Sequence, residues 1–226
     1  MSQEMTGRRI PNATHESRPW RIREIVADFK LEDVWALPVQ GDAEDFQALL
    51  ELMAAADPAD AESAPTRFLW QLRDRLGSLG NLGRISAPAD DDRDAVASRP
   101  PIPGTSETSL AGRLPDDLRD TAADVDFGSL PFIPLYRTDV EFAAEISNRT
   151  MHGVMHLAWA DQGEGRYQAQ MAVYVKPNGW FGEAYMALIK PFRYLIVYPA
   201  LMRQTERMWN SRVEGRLSRA APRGTS

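Results

Sequence analysis

The chain contains no cysteine, which excludes a disulfide framework, a thiolate nucleophile and any cysteine-ligated zinc or iron–sulfur centre. A reducing, cytoplasmic setting is the expectation. No stretch reaches the ~18 uncharged apolar residues that a membrane span requires, and the N-terminal MSQEMTGRRIPNATHESRPW lacks the apolar core of a secretory signal. The nearest approach to a span, residues 180–202, is interrupted by Glu183, Lys190 and Arg193 and by Pro191 and Pro199. A charge at a bilayer centre costs about 2.5–3.5 kcal/mol even on the lenient insertion scale, so a buried helix is the better reading. GxSxG, P-loop, HExxH and CxxC patterns are missing, and no GxGxxG fingerprint occurs, Gly80-Asn81-Leu82-Gly83 being an isolated fragment short of it. The common motif-borne enzyme classes are without support.

What the chain does contain is an ordinary globular composition, 43% hydrophobic over 226 residues, with net charge −6. The charge is uneven. Residues 28–62 hold ten carboxylates against the single Lys30, and the last 24 residues hold six arginines against two glutamates. The acidic bulk argues against nucleic acid as a partner, and the basic fringe reads as a solvated helix end that suits the helix dipole.

The apolar pattern divides the chain. Residues 1–17 are polar and unpatterned and are expected to be disordered. Ile22, Ile25 and Val26 form a short, weakly periodic segment, and Asp33 to Val39 reads as a strand between turn residues. After Asp42, a cap-type residue, Phe46, Leu49, Leu50 and Met53 recur at helical intervals until Asp57-Pro58. Phe68, Leu69, Leu72 and Leu76 predict a second helix, stopped by Gly77 and Gly80. Residues 80–130 are rich in Ala, Asp, Pro, Gly and Ser and read as a long irregular region, with a turn of helix around residues 115–119. Phe132, Ile133, Leu135 and Tyr136 make an apolar patch, and residues 142–146 suit either sheet or helix.

The clearest local structure is a β-hairpin, TMHGVMHLAWA and YQAQMAVYVK around Asp161-Gln162-Gly163-Glu164-Gly165-Arg166. Pro177-Asn178-Gly179 turns the chain into a largely apolar helix over residues 180–209, divided at Pro191 and Pro199, with Asn178 as N-cap. One domain over residues 18–210, followed by a basic flexible tail over 211–226, is the expected organisation.

This order of elements, carried by RPWRIREI, DVWALPV, NRTMHGVMHLAWA and VKPNGWFGEAYMALIKPFRYLIVYPALMR, resembles the START-like (SRPBCC, helix-grip) superfamily. More narrowly it is similar to a family of uncharacterised actinobacterial proteins placed there, some of whose members follow a short-chain-dehydrogenase-like domain. The resemblance implies an α+β helix-grip fold, an antiparallel sheet wrapped around a long C-terminal helix. It also implies a cavity between them, used for apolar ligands, lipid transfer, or aromatase, cyclase and dehydratase chemistry. It implies no single activity and no cofactor.

Within that frame the candidate acid–base residues are His156, Tyr185 and Glu145. The candidate ligand-binding residues are Met155, Trp159, Met171, Tyr174, Phe181, Phe192, Arg193 and Tyr198. His152 and His156, four apart in a strand, share one sheet face. With no carboxylate in the same run, no metal site is expected. Pairing of Ala160 with Tyr167 puts both histidines on the face of Ala169, Met171 and Val173, toward core or cavity. A shift of one residue puts them with Gln168 and Gln170, toward solvent. Lys190, Arg193 and Arg203 lie in or beside the apolar C-terminal segment, where an arginine either holds the carboxylate or phosphate of a ligand, snorkels to water or pairs with Asp139, Glu141 or Glu145. The expected function is binding of a small apolar or amphipathic molecule between sheet and C-terminal helix, with or without proton chemistry. The alternative is a non-enzymatic accessory protein packed on a dehydrogenase-like partner or a membrane surface.

Overall fold

The structure is a computed structural model that describes residues 7–54, 99–127 and 131–220, apart from the side chains of Phe192, Ile196 and residues 217–220. The helix expected over 65–80 lies outside the described residues. In chain order the elements are β1 (Arg8–Ile10), α1 (Asn12–Glu16), α2 (Ile22–Ile25), β2 (Lys30–Gly41) and α3 (Asp45–Ala54). Single 3₁₀ turns follow at Leu110–Arg113 and Asp116–Leu118. Then come β3 (Ile133–Arg137), β4 (Glu141–Ser147), β5 (Met151–Asp161), β6 (Tyr167–Pro177), α4 (Gly179–Phe192), a π turn (Arg193–Val197) and α5 (Tyr198–Ala220).

The molecule is α+β. Its six strands form one antiparallel sheet in the order β1-β2-β6-β5-β4-β3. Strands β3 to β6 are a meander of hairpins, and β2, the first long strand, closes against the last, β6. The registry of β2 on β6 slips twice, between Leu31 and Asp33 and between Ala36 and Gln40. Pro38 lies in the second slip, where its missing N–H removes no ladder bond.

Residues 8–16, expected to be part of a disordered tail, form β1 and α1. Arg8, Arg9 and Ile10 pair with Ala36, Trp35 and Val34, adding a strand to the exposed edge of β2. Three residues are too few for a detectable period, so backbone pairing rather than side-chain pattern determines this element. At the other end the helix runs on through Ala220, so residues 211–220 of the basic stretch are helical.

Both faces of the sheet are covered. On one, here the helical face, Leu37, Val39, Phe142, Met155, Leu157, Trp159 and Met171 pack against α3 and α5 through Phe46, Leu49, Tyr198, Met202 and Trp209. Phe46, Leu49 and Leu50 of α3 are each no more than 2% exposed, and burial of such side chains contributes about 1.5–3 kcal/mol apiece. The Trp159 indole N–H of β5 donates to the Asp42 carbonyl (2.8 Å), fixing the turn between β2 and α3, and the Trp209 N–H donates to the Gln40 carbonyl (3.1 Å), pinning α5 to the end of β2. On the other, N-terminal face, Trp20, Ile22, Ile25, Ile102, Leu110 and Leu118 lie over Val34, Ala143, Val154, Ala158, Ala172 and Tyr174.

Proline places the break in the C-terminal helix. Pro191 cannot donate to the carbonyl one turn back, and the backbone widens into the π turn two residues later before Pro199 enters the first turn of α5. Asn178 occupies the position before α4, but its side chain donates to the Arg149 carbonyl (3.1 Å) instead of capping the helix.

Candidate functional site

The hairpin register decides where the two strand histidines point. The turn holds Gly163, Glu164 and Gly165 at φ +86°, +56° and +71°, and backbone bonds between Gln162 and Arg166 (2.8 Å) and between Arg166 and Gly163 (3.1 Å) close it. Asp161 therefore pairs with Tyr167, Ala160 with Gln168 and His156 with Ala172. His152 and His156 thus share a face with Gln168 and Gln170, the case expected to face solvent. The face is instead covered by α1, α2 and the 99–118 segment, and both histidines are buried, as are Gln168 and Gln170.

Two carboxylates on β4, on the same face, meet the two imidazoles. His156 Nε2 lies 3.0 Å from Glu141 Oε2 and His152 Nε2 lies 3.0 Å from Glu145 Oε2. Glu145 anchors the covering segment: the Ser109 hydroxyl donates to it at 2.5 Å, the Leu110 N–H at 2.9 Å, and Arg99 stands 3.6 Å away. Glu141 anchors α2 in the same way, accepting the Arg21 N–H (3.0 Å), the Ile22 N–H (3.4 Å) and the Tyr136 hydroxyl (2.9 Å). Burial works against the Glu141 charge, but His156, the Arg21 N–H and the Tyr136 hydroxyl together hold its carboxyl below the usual range.

His15, from the segment expected to be disordered, completes the cluster with no exposed surface. Its ring centroid is 5.3 Å from that of His156, 5.7 Å from Trp20 and 6.3 Å from Tyr174; Trp20 and Tyr174 lie 5.8 and 6.5 Å from His156. His15 Nδ1 faces the amide oxygen of Gln170 at 3.4 Å. Burial, reinforced by the nearby His156, lowers the His15 pKa to about 4. Among the described residues, His15 Nε2, His156 Nδ1, the Trp20 indole N–H and the Tyr174 hydroxyl are all buried without a hydrogen-bond partner. Four orphan polar atoms in one ring cluster are unusual, because buried polar groups are nearly always paired. Tyr174 and Trp20 also line a cleft of ≈ 690 Å³, whose other walls include Val26, Phe29 and Leu31 and whose rim carries Glu16, Arg23 and Glu24.

The other candidates divide between locations. His156, Glu145 and Tyr174 lie on the N-terminal face, whereas Met155, Trp159, Met171 and Tyr198 belong to the packed core of the helical face. The carboxylate at His156 is Glu141, while Glu145 serves His152. Tyr185 stands half-buried on α4, its hydroxyl pKa raised by burial, and Phe181 on the same helix is 42% exposed. The Phe192 side chain lies outside the described residues. Arg193 pairs with Asp33 (3.0 Å), not with a β4 carboxylate, and both bond the Tyr198 hydroxyl, which donates to Asp33 at 2.8 Å. Lys190 lies 3.9 Å from Glu32. Among the described residues no three His, Cys, Asp or Glu side chains converge as a metal would require.

His15, Trp20, Tyr136 and Glu141 were missed by the sequence reading. One signal was present: Glu141, Ala143, Glu145 and Ser147 alternate along β4 with period two, a polar stripe opposite the apolar Phe142 and Ala144. Among the described residues no helix is long and apolar enough to cross a membrane. Neither the comparison with curated proteins nor that with solved structures returned a match. A family match covers residues 25–200, the stretch that holds β2, the histidine hairpin and the π turn, and on that match the chain belongs to the family described as Protein of unknown function (DUF2867).

Proposed function

We propose that this protein binds a small apolar or amphipathic molecule, and that the binding place is the cleft between the α1–α2 segment and the N-terminal face of the sheet. The single observation that carries the reading is the juxtaposition of that cleft with four unpartnered buried polar atoms, two on its wall residues Trp20 and Tyr174 and two on the His15 and His156 rings packed against them. Apolar walls with a few convergent polar groups are the usual make-up of a small-molecule site. The order β2-β6-β5-β4-β3, with a C-terminal helix across the opposite face, supports a helix-grip architecture for the chain. In this reading the grip of helix on sheet is a packed core and the ligand lies on the other side.

Displacement of anilinonaphthalene sulfonate by a panel of fatty acids, fatty amines and cyclic ketones tests the reading. Ala27, exposed on the cleft wall, is replaced by Trp in a second protein to fill the space. Saturable uptake that Ala27→Trp abolishes is the expected result. No uptake, or equal uptake by both proteins, refutes it.

One observation favours an accessory role instead. Trp180, Phe181, Leu188 and Leu195 are 80, 42, 65 and 76% exposed along α4 and the π turn, an apolar stripe of the kind that marks an interaction surface. Flotation with anionic liposomes tests the membrane form of this reading: binding that Trp180→Ser with Leu188→Ser removes favours it, and the absence of binding removes it.

A further inference from the structure

We infer that α4 and the π turn dock this protein on an anionic bilayer, the helix lying flat at headgroup depth with Trp180, Leu188 and Leu195 turned into the lipid; this rests on the accessory reading of that stripe and is independent of the cleft.

α4 is amphipathic in the inverse sense. At about 100° per residue, Trp180, Ala184, Ala187, Leu188 and Pro191 fall on one arc of roughly 100°. All five are exposed, with Phe181 at the edge of the arc and Leu195 continuing it into the π turn. On the opposite side Gly182 and Met186 are buried, and the missing side chain of Gly182 lets the helix lie directly on the Thr150 carbonyl and Pro177. A surface helix ordinarily turns its apolar stripe to the core. This one presents the stripe outward, and among the described residues nothing covers it. An apolar patch of that size on a folded surface marks a contact with something outside the chain.

The charges that border the stripe select the occupant. Arg149 is exposed beside the start of α4, where its carbonyl accepts from Asn178 (3.1 Å). At the far end the Arg9 guanidinium and the Lys190 ammonium stand 5.6 and 5.8 Å from the centre of the Tyr194 ring, next in sequence to Leu195. Exposed Arg203 and Arg207 extend the positive charge along α5. From residue 178 to the C-terminus the chain has eight Lys or Arg against three Glu, a surplus of five positive charges in a protein of net charge −6. The acids nearest the stripe are Glu183, at its edge on α4, and Glu32, 3.9 Å from Lys190. Large apolar side chains with cations at their margins are the make-up of a helix that lies in a membrane interface. Tryptophan and tyrosine rings belong at headgroup depth, and each cation near the surface is drawn to anionic lipid.

Two other arrangements fit less well. A span is excluded by length, because the 14 residues of α4 reach about 21 Å against a hydrocarbon core of about 30 Å. A second copy packed stripe to stripe would bring margins of the same sign together. A stable interface also needs roughly 800 Å² from each partner, more than one face of so short a helix presents.

The chain has no cysteine, so single labels on the full-length protein report orientation. Ala184→Cys on the stripe and Glu164→Cys, at the opposite end of the β5–β6 hairpin, each carry the environment-sensitive dye NBD. Vesicles are phosphatidylcholine alone or equal parts phosphatidylcholine and phosphatidylglycerol. The mixed vesicles should shift the emission of the 184 label to the blue and leave the 164 label unchanged, and phosphatidylcholine alone should shift neither. Raising NaCl from about 0.05 to about 0.5 M should weaken binding at least tenfold. In flotation with the mixed vesicles, Trp180→Ser should lower the bound fraction at least tenfold. Arg9→Gln with Lys190→Gln should lower it and remove most of the salt dependence, with circular dichroism showing both proteins folded. No vesicle response at 184, equal responses at 184 and 164, or flotation unchanged by Trp180→Ser overturns the inference. A blue shift at 184 that grows with protein concentration in the absence of vesicles makes the occupant a second copy, which overturns the bilayer and leaves the accessory reading. Emission at 184 that is already blue at every concentration shows the stripe covered by the chain itself, and the accessory reading then falls as well.

Discussion

His15 makes the stability of this fold depend on pH in a way that can be calculated and isolated. The residue has no exposed surface, and its pKa falls from an ordinary 6.5 to about 4 because burial and the adjacent His156 disfavour the charged ring. A histidine whose folded pKa lies below its unfolded one binds protons more readily when unfolded. Its contribution is therefore fully present above about pH 6.5 and is lost as pH falls through 6.5 toward 4. Integrating between those values, the loss from about pH 7.5 to about pH 4.5 is roughly 2–3 kcal/mol. Glu141 and Asp28, whose carboxyls are held below the usual range, also lose stability as pH falls, but they do so with or without His15. His15→Leu keeps the volume apolar and removes only the titrating ring. Urea denaturation of both proteins at the two pH values isolates the effect. The wild type should lose roughly 2–3 kcal/mol more than the variant, about 1 M in urea midpoint for a slope near 2–3 kcal/mol/M. Parallel losses would show that His15 is not held neutral inside the fold, and the packing of α1 on the sheet would need revision.

Three further outcomes follow from the packing. Arg193→Met leaves Asp33, which has no exposed surface, with an uncompensated charge; the cost should be about 3–5 kcal/mol by chemical denaturation, and adding Asp33→Asn should recover much of it. A Cβ at Gly182 would collide with the Thr150 carbonyl oxygen, whereas one at Gly215 in α5 would meet nothing within 4 Å. Gly182→Ala should therefore destabilise by about 1–3 kcal/mol and Gly215→Ala should stabilise by roughly 0.5–1 kcal/mol, read as opposite shifts of thermal midpoint. Glu145→Leu strips the Leu110 N–H, the Ser109 hydroxyl and His152 of their shared acceptor. Hydrogen exchange should rise in residues 99–113 by at least tenfold while β5 and β6 stay protected, and uniform loss of protection would contradict a local anchor.

Much of the architecture was legible in the chain. The Phe46, Leu49 and Leu50 stripe specifies α3, Gly163 and Gly165 mark the hairpin turn, and Pro191 and Pro199 bracket the break between α4 and α5. Each is a local property, a period or a backbone restriction within a few residues. The site was less legible because its parts are distant in sequence. His15 reaches Gln170 across 155 positions and Asp33 reaches Arg193 across 160, separations that no periodicity reports. The expectation that Gln168 and Gln170 mark a solvent face failed for the same reason: an amide is polar wherever it lies, and only the covering layer decides whether it meets water.

By itself, the sequence determined which residues are paired by short-range geometry: a hairpin with two histidines on one face, helices on either side of it, and a chain without cysteine chemistry. Tertiary structure decided what that face meets. A one-residue choice of register sent His152 and His156 toward the N-terminal layer, and the alternation of β4 placed Glu141 and Glu145 within 3.0 Å of them. Side-chain direction in a strand reverses with every residue, so the identity of the face depends on backbone hydrogen bonds that close only when the whole sheet assembles.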